Sequence, residues 1–553
     1  MFKRSALFAW FLCLVIAAVG FAAQKTPALS SPATAIADHF STDRMRADLK
    51  FLADDLLEGR GTGAHGGDIA AAYIAAQFEV AGLKPLGENG TFMQAVPLTG
   101  LSTQPESTLT FTPAGGQSLS LKYLDDFVVN ALTLKPEEVV HAPVVFAGYG
   151  INAPEFGWND YAGMDVKGKV VIVLVNDPPS EDAKFFGGKA MTYYGRWTYK
   201  YEEAARQQAA GVLIIHNTEA AAYDWGVVRN SNSGEQAYLE PPAGAYLLPM
   251  AGWIQEEVGR KLFSACGKDL AEWVKKAGAP GFKSVEMPLQ AEARLIAKVR
   301  PLHAQNVAGI LEGSDPKMKN EAVIYSAHYD HLGIGNPVDG DNIYNGAVDN
   351  ASGVAFLIEL ARVFSASPVK PKRSLIFLSV TAEERGLRGS EYFGSHPPIP
   401  TKKMMLDLNF DGISFFGRTS DIVASGAERT TVWPVVQDVA KSLNMTITPE
   451  SHPEGGHYYR SDHFSLARVG VPAFSLDSGN KYVGKPDDFG EKIYRDYLSQ
   501  HYHKPSDEYD PSWDFSGVND LAHLGIEIGW KVANTPGMTG WTAGDEFAAI
   551  RNQ

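Results

Sequence analysis

The chain has 553 residues, 45% of them hydrophobic and 20% charged, and carries a formal net charge of −15. At ~150 residues per domain this length exceeds one simple core and allows two to four units. The composition excludes a low-complexity or disordered chain. The acidic balance argues against nucleic acid or anionic lipid as partner, because phosphate binding needs clustered Lys and Arg.

The first residues, "MFKRSALFAWFLCLVIAAVGFAAQ", read as a signal peptide over residues 1–22. Lys3 and Arg4 open it, Ala6 to Val19 are apolar, and Gly20-Phe21-Ala22 offers a small-x-small cleavage site. The apolar run is shorter than a comfortable membrane span. The expectation is therefore export to the periplasm or the extracellular space, without membrane insertion after cleavage. Cys13 would leave with this segment and only Cys266 would remain, so the mature chain can form no internal disulfide.

A Pro/Ala/Ser-rich flexible leader is expected over residues 23–36. Thr42 could then cap a helix carrying Met45, Leu49, Leu52 and Leu56 on one face, and a second helix should run from Asp68 to Ala81 before Gly82. The intervening "EGRGTGAHGG" lacks the Gly-Lys-Ser/Thr ending of a phosphate loop and does not follow a strand, so it reads as a turn.

From about Pro136 the texture changes. "APVVFAGYGI" and "GKVVIVLVNDPP" are strand runs, followed by a helix near Glu202 to Ala210 and the strand "GVLIIHN". His141 and His216 stand alone in this stretch, and solitary histidines are more often structural than ligating.

Beyond it, "EAVIYSAH", "RSLIFLSVTAE", "MMLDLNFD" and "PAFSLDSG" read as strands with helices between them, such as Ser352 to Phe364. That alternation predicts an α/β domain with a mostly parallel central sheet flanked by helices. Ligands in such sheets sit beyond the carboxyl ends of the strands. There the sequence places His328 and Asp330, Asp349 and Asn350, Glu383 and Glu384, Asp411, and His501 and His503. This cysteine-free mixture of imidazole and carboxylate suits Zn²⁺, with Co²⁺ or Mn²⁺ as alternatives. Carboxylates crowded together repel and raise one another's pKa unless cations neutralise them. Two divalent ions sharing one carboxylate would do so, and would form a hydrolytic centre.

The motifs "HYDHLG", "GAVDNASG", "TAEERGLRGS", "NFDG", "YYRSDHF" and "YHKPSDE" resemble those of the co-catalytic di-zinc exopeptidases, which include secreted bacterial aminopeptidases and glutamate carboxypeptidase. "GWNDYAGMDVKGKVVIVLVNDPP" and "AARQQAAGVLIIHN" resemble an inserted protease-associated domain. The resemblance implies a peptidase domain over 37–135 and 284–553, interrupted by the insert over 136–283. It implies two Zn²⁺ per chain, one held by His328, Asp349 and Asp411 and the other by Asp349, Glu384 and His503. Glu383 becomes the general base. Asp330 supports His328 by accepting the far N–H of its ring. Tyr458 aligns with a tyrosine that stabilises the oxyanion, with Tyr459 as fallback. His331 and His501 are expected to bind no metal.

The implied activity is that of an exported zinc aminopeptidase acting on peptide or protein N-termini. A carboxypeptidase or dipeptidase would share every metal ligand. A glutaminyl cyclase would use a single zinc and usually lack the insert, and a receptor-like binding protein would have lost ligands that are intact here.

Overall fold

The computed structural model describes residues 31–552. The expected signal peptide and most of the expected leader lie outside them. The end of that leader is not extended chain: Pro32–Ala37 is a helix, with the Ser31 side chain accepting from the Thr34 N–H at its start. Ala33, Ile36 and Ala37 are buried and Thr34 donates to Glu527, so apolar side chains tie down a segment whose composition suggested a tether. The next helix, Thr42–Leu52, is capped by Ser41 rather than Thr42.

The apolar runs of the second half form the sheet that carries the site. Ala322–His328 lies between Ser374–Val380 and Met404–Asn409, parallel to both, and Ala473–Ser475 extends the sheet in parallel beyond Met404–Asn409. All residues of the three central strands are buried, as expected of a sheet covered on both faces. Ser352–Ala366 and Ser516–Asn534 bury long apolar faces in the same core, together with Met45, Leu49 and Leu52 from the N-terminal helix.

A second sheet packs its own core. Val170–Leu174 and Gly211–Ile215 are parallel neighbours, Met250–Ile254 joins the latter in parallel, and Phe127–Asn130 closes that edge antiparallel. Glu137–Phe146 continues the sheet on the other side. This unit starts earlier than Pro136, the boundary read from the sequence, since the strands Thr108–Pro113 and Phe127–Asn130 both belong to it.

One strand of 27 residues, Val285–Leu311, runs through both units. Its first part pairs with Thr108–Pro113 and Glu137–Phe146, and its last part with Ser374–Val380. Between these, Met93–Thr103 pairs with it from Ala297 to Val307. The two sheets therefore share backbone hydrogen bonds rather than a linker. No helix among the described residues is long and apolar enough to cross a membrane.

Candidate active site

The parallel strands deliver their polar residues to one end of the sheet. His328 ends its strand, Glu383 and Glu384 follow Val380, and Asp411 follows Asn409. Two donor groups result. In the first, His328 Nε2 lies 3.3 Å from Asp349 Oδ1 and 3.1 Å from Asp411 Oδ1. In the second, His503 Nε2 lies 3.4 Å from Asp349 Oδ2 and 3.1 Å from Glu384 Oε2. Asp349 thus turns one carboxylate oxygen to each group. Donors bound to one zinc at 2.0–2.2 Å stand roughly 3.3 Å apart in a tetrahedron, so these spacings fit divalent ions.

Each donor is held from behind. The Asp507 carboxylate accepts the backbone N–H groups of Val348 and Asp349, fixing the loop that presents Asp349. Asn350 and Ser352 join that loop to the next one: Asn350 donates to the Phe410 carbonyl, and Ser352 Oγ accepts the Ile413 N–H. Ser461 donates to Asp411 Oδ2 at 2.6 Å and accepts from Asn409. His503 Nδ1 lies 2.8 Å from Ser231 Oγ, and Asn230 donates to the His503 carbonyl. Both of these residues sit on the Trp225–Ser233 helix, outside the sheet that carries the other donors.

Asp330 supports the site through different atoms from those expected. Its backbone carbonyl, not its carboxylate, lies 3.1 Å from His328 Nδ1, while the nearest carboxylate oxygen is 3.9 Å away. The carboxylate instead accepts from Thr62 Oγ1 at 2.8 Å and from the Glu383 N–H at 3.1 Å. It therefore positions the backbone of the residue expected to be the base.

Glu383 lines the cleft beside Glu384 and His503. Burial pushes its carboxyl well above the ordinary range, and neighbouring Glu384, Asp411 and Asp462 add to this while His328 opposes it. Burial alone would make His503 easier to deprotonate, but Glu384 and Asp349 lift it to about 9. Such an imidazole sits in a strongly anionic pocket, which a cation would stabilise.

Tyr458 does not take the expected place. It is buried among apolar residues, its hydroxyl donates to the Ala473 carbonyl, and its ring lies against His463. Arg429 covers the ring, which packs so closely on Gly426 that a Cβ there would lie 2.0 Å from it. The fallback, Tyr459, donates to Glu546. The motif position set the residue type, but packing set the direction of the side chain.

His501 stays out of the site, with Nδ1 against the Ser506 carbonyl. His331 does not: it is fully buried and its Nδ1 lies 2.6 Å from Glu384 Oε1.

The "EGRGTG" loop is more than a turn. Arg60 is fully buried and donates to the carbonyls of Tyr329 (2.7 Å), Leu52 (2.6 Å), Asn345 (2.5 Å) and Gly346 (2.8 Å). It links the chain after His328 to the chain before Asp349. Gly59 lets the loop come this close, because a Cβ there would lie 2.3 Å from the Tyr344 carbonyl oxygen.

The cleft itself lies between the two units. Glu383, Glu384, Arg385, Arg460, Tyr502 and His503 form one side, and Asn130, Arg196, Trp197, Tyr201, Tyr223 and Tyr238 contribute the other. Arg460 donates to the Tyr502 hydroxyl and to the Gly455 carbonyl, and its guanidinium lies over the Tyr223 ring. The Arg196 Nε is buried without a hydrogen-bond partner among the described residues.

An open α/β sheet with imidazole and carboxylate donors gathered at one end is an arrangement able to hold divalent cations. Residues 306–523 match the model of peptidase family M28. Among similar proteins, aminopeptidase YwaD of Bacillus subtilis is 26% identical over 209 residues, 37% of this chain and 39% of the relative. A probable zinc metalloprotease of Pyrenophora teres is 37% identical over 91 residues, 16% of this chain and 18% of the relative. The chain thus matches less than half the length of these curated relatives. An aminopeptidase structure from Aneurinibacillus sp. strain AM-1 superposes with a TM-score of 0.53 at 20% identity, covering 92% of this chain and 97% of that one. That similarity extends the shared fold over both units.

Proposed function

We propose that this chain is an exported exopeptidase with two divalent ions per chain that removes amino-terminal residues from peptides. The observation that carries this reading is Asp349, whose two oxygens face two separate donor groups beside Glu383. Zinc suits the donor set and agrees with the zinc peptidases among the relatives. The basic and apolar start of the sequence supports export. The second unit is read as a protease-associated module, supported by its sequence resemblance and its strand–helix–strand core.

Divalent ions held by His328, Asp349, Asp411, Glu384 and His503 would supply Lewis acidity toward the scissile carbonyl and lower the pKa of a bound water. The chain's own residues do the rest. Glu383 accepts the proton of the attacking water and returns it to the leaving amine. Asp330 holds the Glu383 backbone so that the carboxylate stays in the cleft while Glu384 turns toward His503. The aromatic residues of the opposite wall narrow the cleft and orient the substrate.

Metal analysis of protein purified without added metal and dialysed against metal-free buffer should give about two zincs per chain. A reproducible single equivalent would defeat the two-ion reading.

A second reading is favoured by the arginines. Arg196 and Arg460 both face the cleft, and a guanidinium is the group that recognises a peptide's terminal carboxylate. A carboxypeptidase or dipeptidase would use them so. A mixed peptide library, tested with free ends and again N-acetylated, separates the readings by mass spectrometry. Stepwise loss of amino-terminal residues from the free peptides alone is the expected result. Trimming of acetylated peptides from the carboxyl end would replace it with the second reading.

A further inference from the structure

We infer that His331 is a ligand of the second ion, giving that site four protein donors: His331, His503, Glu384 and the shared Asp349. This rests on the two-ion reading of the site. His331 lies three residues beyond His328, and its backbone N–H donates to the Arg60 carbonyl. Its ring is fully buried and packs closely against Gly346, where a Cβ would lie 2.4 Å from its Cγ.

The contact with Glu384 is what points to an ion. Nδ1 and Oε1 are 2.6 Å apart, yet neither atom takes part in a hydrogen bond, and Nε2 has no partner among the described residues either. A buried imidazole nitrogen and a carboxylate oxygen in contact need a shared proton or a shared cation to offset their lost hydration. The geometry does not align an N–H with the oxygen, so the lone pairs are left for a cation off the line between them. One donor atom from each of His331, Asp349 and Glu384 lies close enough to the others for the three to share one ion. Glu384 is then flanked on both sides, with Oε1 at His331 and Oε2 at His503. Other charged groups near His331 are the Asp349 and Asp507 carboxylates, and the His503 ring lies 5.6 Å from its own.

The two sites would differ in kind. The first offers one imidazole and two carboxylates, and the second offers two imidazoles and two carboxylates. Imidazole favours zinc, cobalt, nickel and copper over magnesium and manganese. The second site should therefore fill first when metal is limiting, and should discriminate more strongly against manganese.

The test is a cobalt titration of the full chain after removal of metal, read by visible absorption and by competition with a chelator. The wild-type protein should take two equivalents in sequence. In His331→Ala the tighter equivalent should weaken by about 10–100-fold or more, since even an outer-shell partner is worth that much. Its absorption band should also shift through loss of a nitrogen donor. His331→Asn, which keeps a buried polar atom near Nδ1, repeats the measurement if the alanine variant does not fold. Wild-type affinities and an unchanged spectrum in a folded variant would overturn the assignment. Uptake of one equivalent by the wild type would instead defeat the two-ion reading, and the variant's spectrum would still decide whether His331 binds that ion.

Discussion

Glu383→Gln is expected to lower kcat by about 10²–10⁴-fold while leaving the metal content unchanged, the loss typical of removing a general base. The two adjacent glutamates leave the Ser374–Val380 strand through Ala382, which has a positive φ of 55°. The turn sends them apart. Glu384 goes to His503 and His331, and Glu383 stays at the cleft wall with its N–H on Asp330. Glutamine keeps the shape of Glu383 but cannot take a proton, so binding survives and chemistry does not. Glu384→Gln should behave differently: one metal equivalent should dissociate more readily, and activity should recover in part with added zinc. Parallel kinetics and metal analysis of the two variants check this. Loss of metal from the Glu383 variant alone would exchange the two roles.

Arg60→Met is expected to destabilise the protein by about 3 kcal/mol or more and to weaken metal binding, although Arg60 touches no donor atom. Its guanidinium satisfies four buried carbonyls, and each acceptor left unpaired in the interior costs about 1–3 kcal/mol. Two of those carbonyls, Asn345 and Gly346, lie just before the Asp349 loop, and a third follows His328 directly. Freeing them lets the first donor group spread. Denaturant unfolding with and without zinc measures the effect. Methionine fills most of the volume, so a large loss would come from hydrogen bonding rather than from a cavity. Arg60→Lys should recover only a small part, because one ammonium cannot reach four carbonyls arranged around a planar fork. Unchanged unfolding in Arg60→Met would show that water takes over these contacts.

The central strands and their contributions were legible in the sequence because burial on both faces demands long apolar runs, and the polar residues ending those runs stand out against them. His328, Glu383, Glu384 and Asp411 could be placed near strand ends on that basis, whereas Asp349 and His503 lie in loops beside helices. What surrounds them could not. Arg60 bonds to carbonyls as far as 286 residues away, and such a contact leaves no local pattern. Ser231 reaches His503 from another unit of the fold in the same way. The direction of the Tyr458 side chain was not legible because a place in the "YYRSDHF" motif fixes the residue type, whereas Gly426, Arg429 and His463 fix where its ring lies. The early edge of the second sheet was missed because Thr108–Pro113 alternates apolar and polar residues like any strand and marks no boundary.

The strand Val285–Leu311 has a practical consequence for anyone hoping to transplant the second unit between related enzymes. A cassette can be exchanged when its ends meet in a flexible linker, but here one border falls inside a hydrogen-bonded ladder. Cutting near Lys283 would leave the Thr108–Pro113 and Phe127–Asn130 strands on the recipient without their sheet. A viable chimera would need its seams at Thr103 and Ala297, where the ladder passes from one sheet to the other. Even then it would have to import a helix able to offer His503 the hydroxyl that Ser231 supplies.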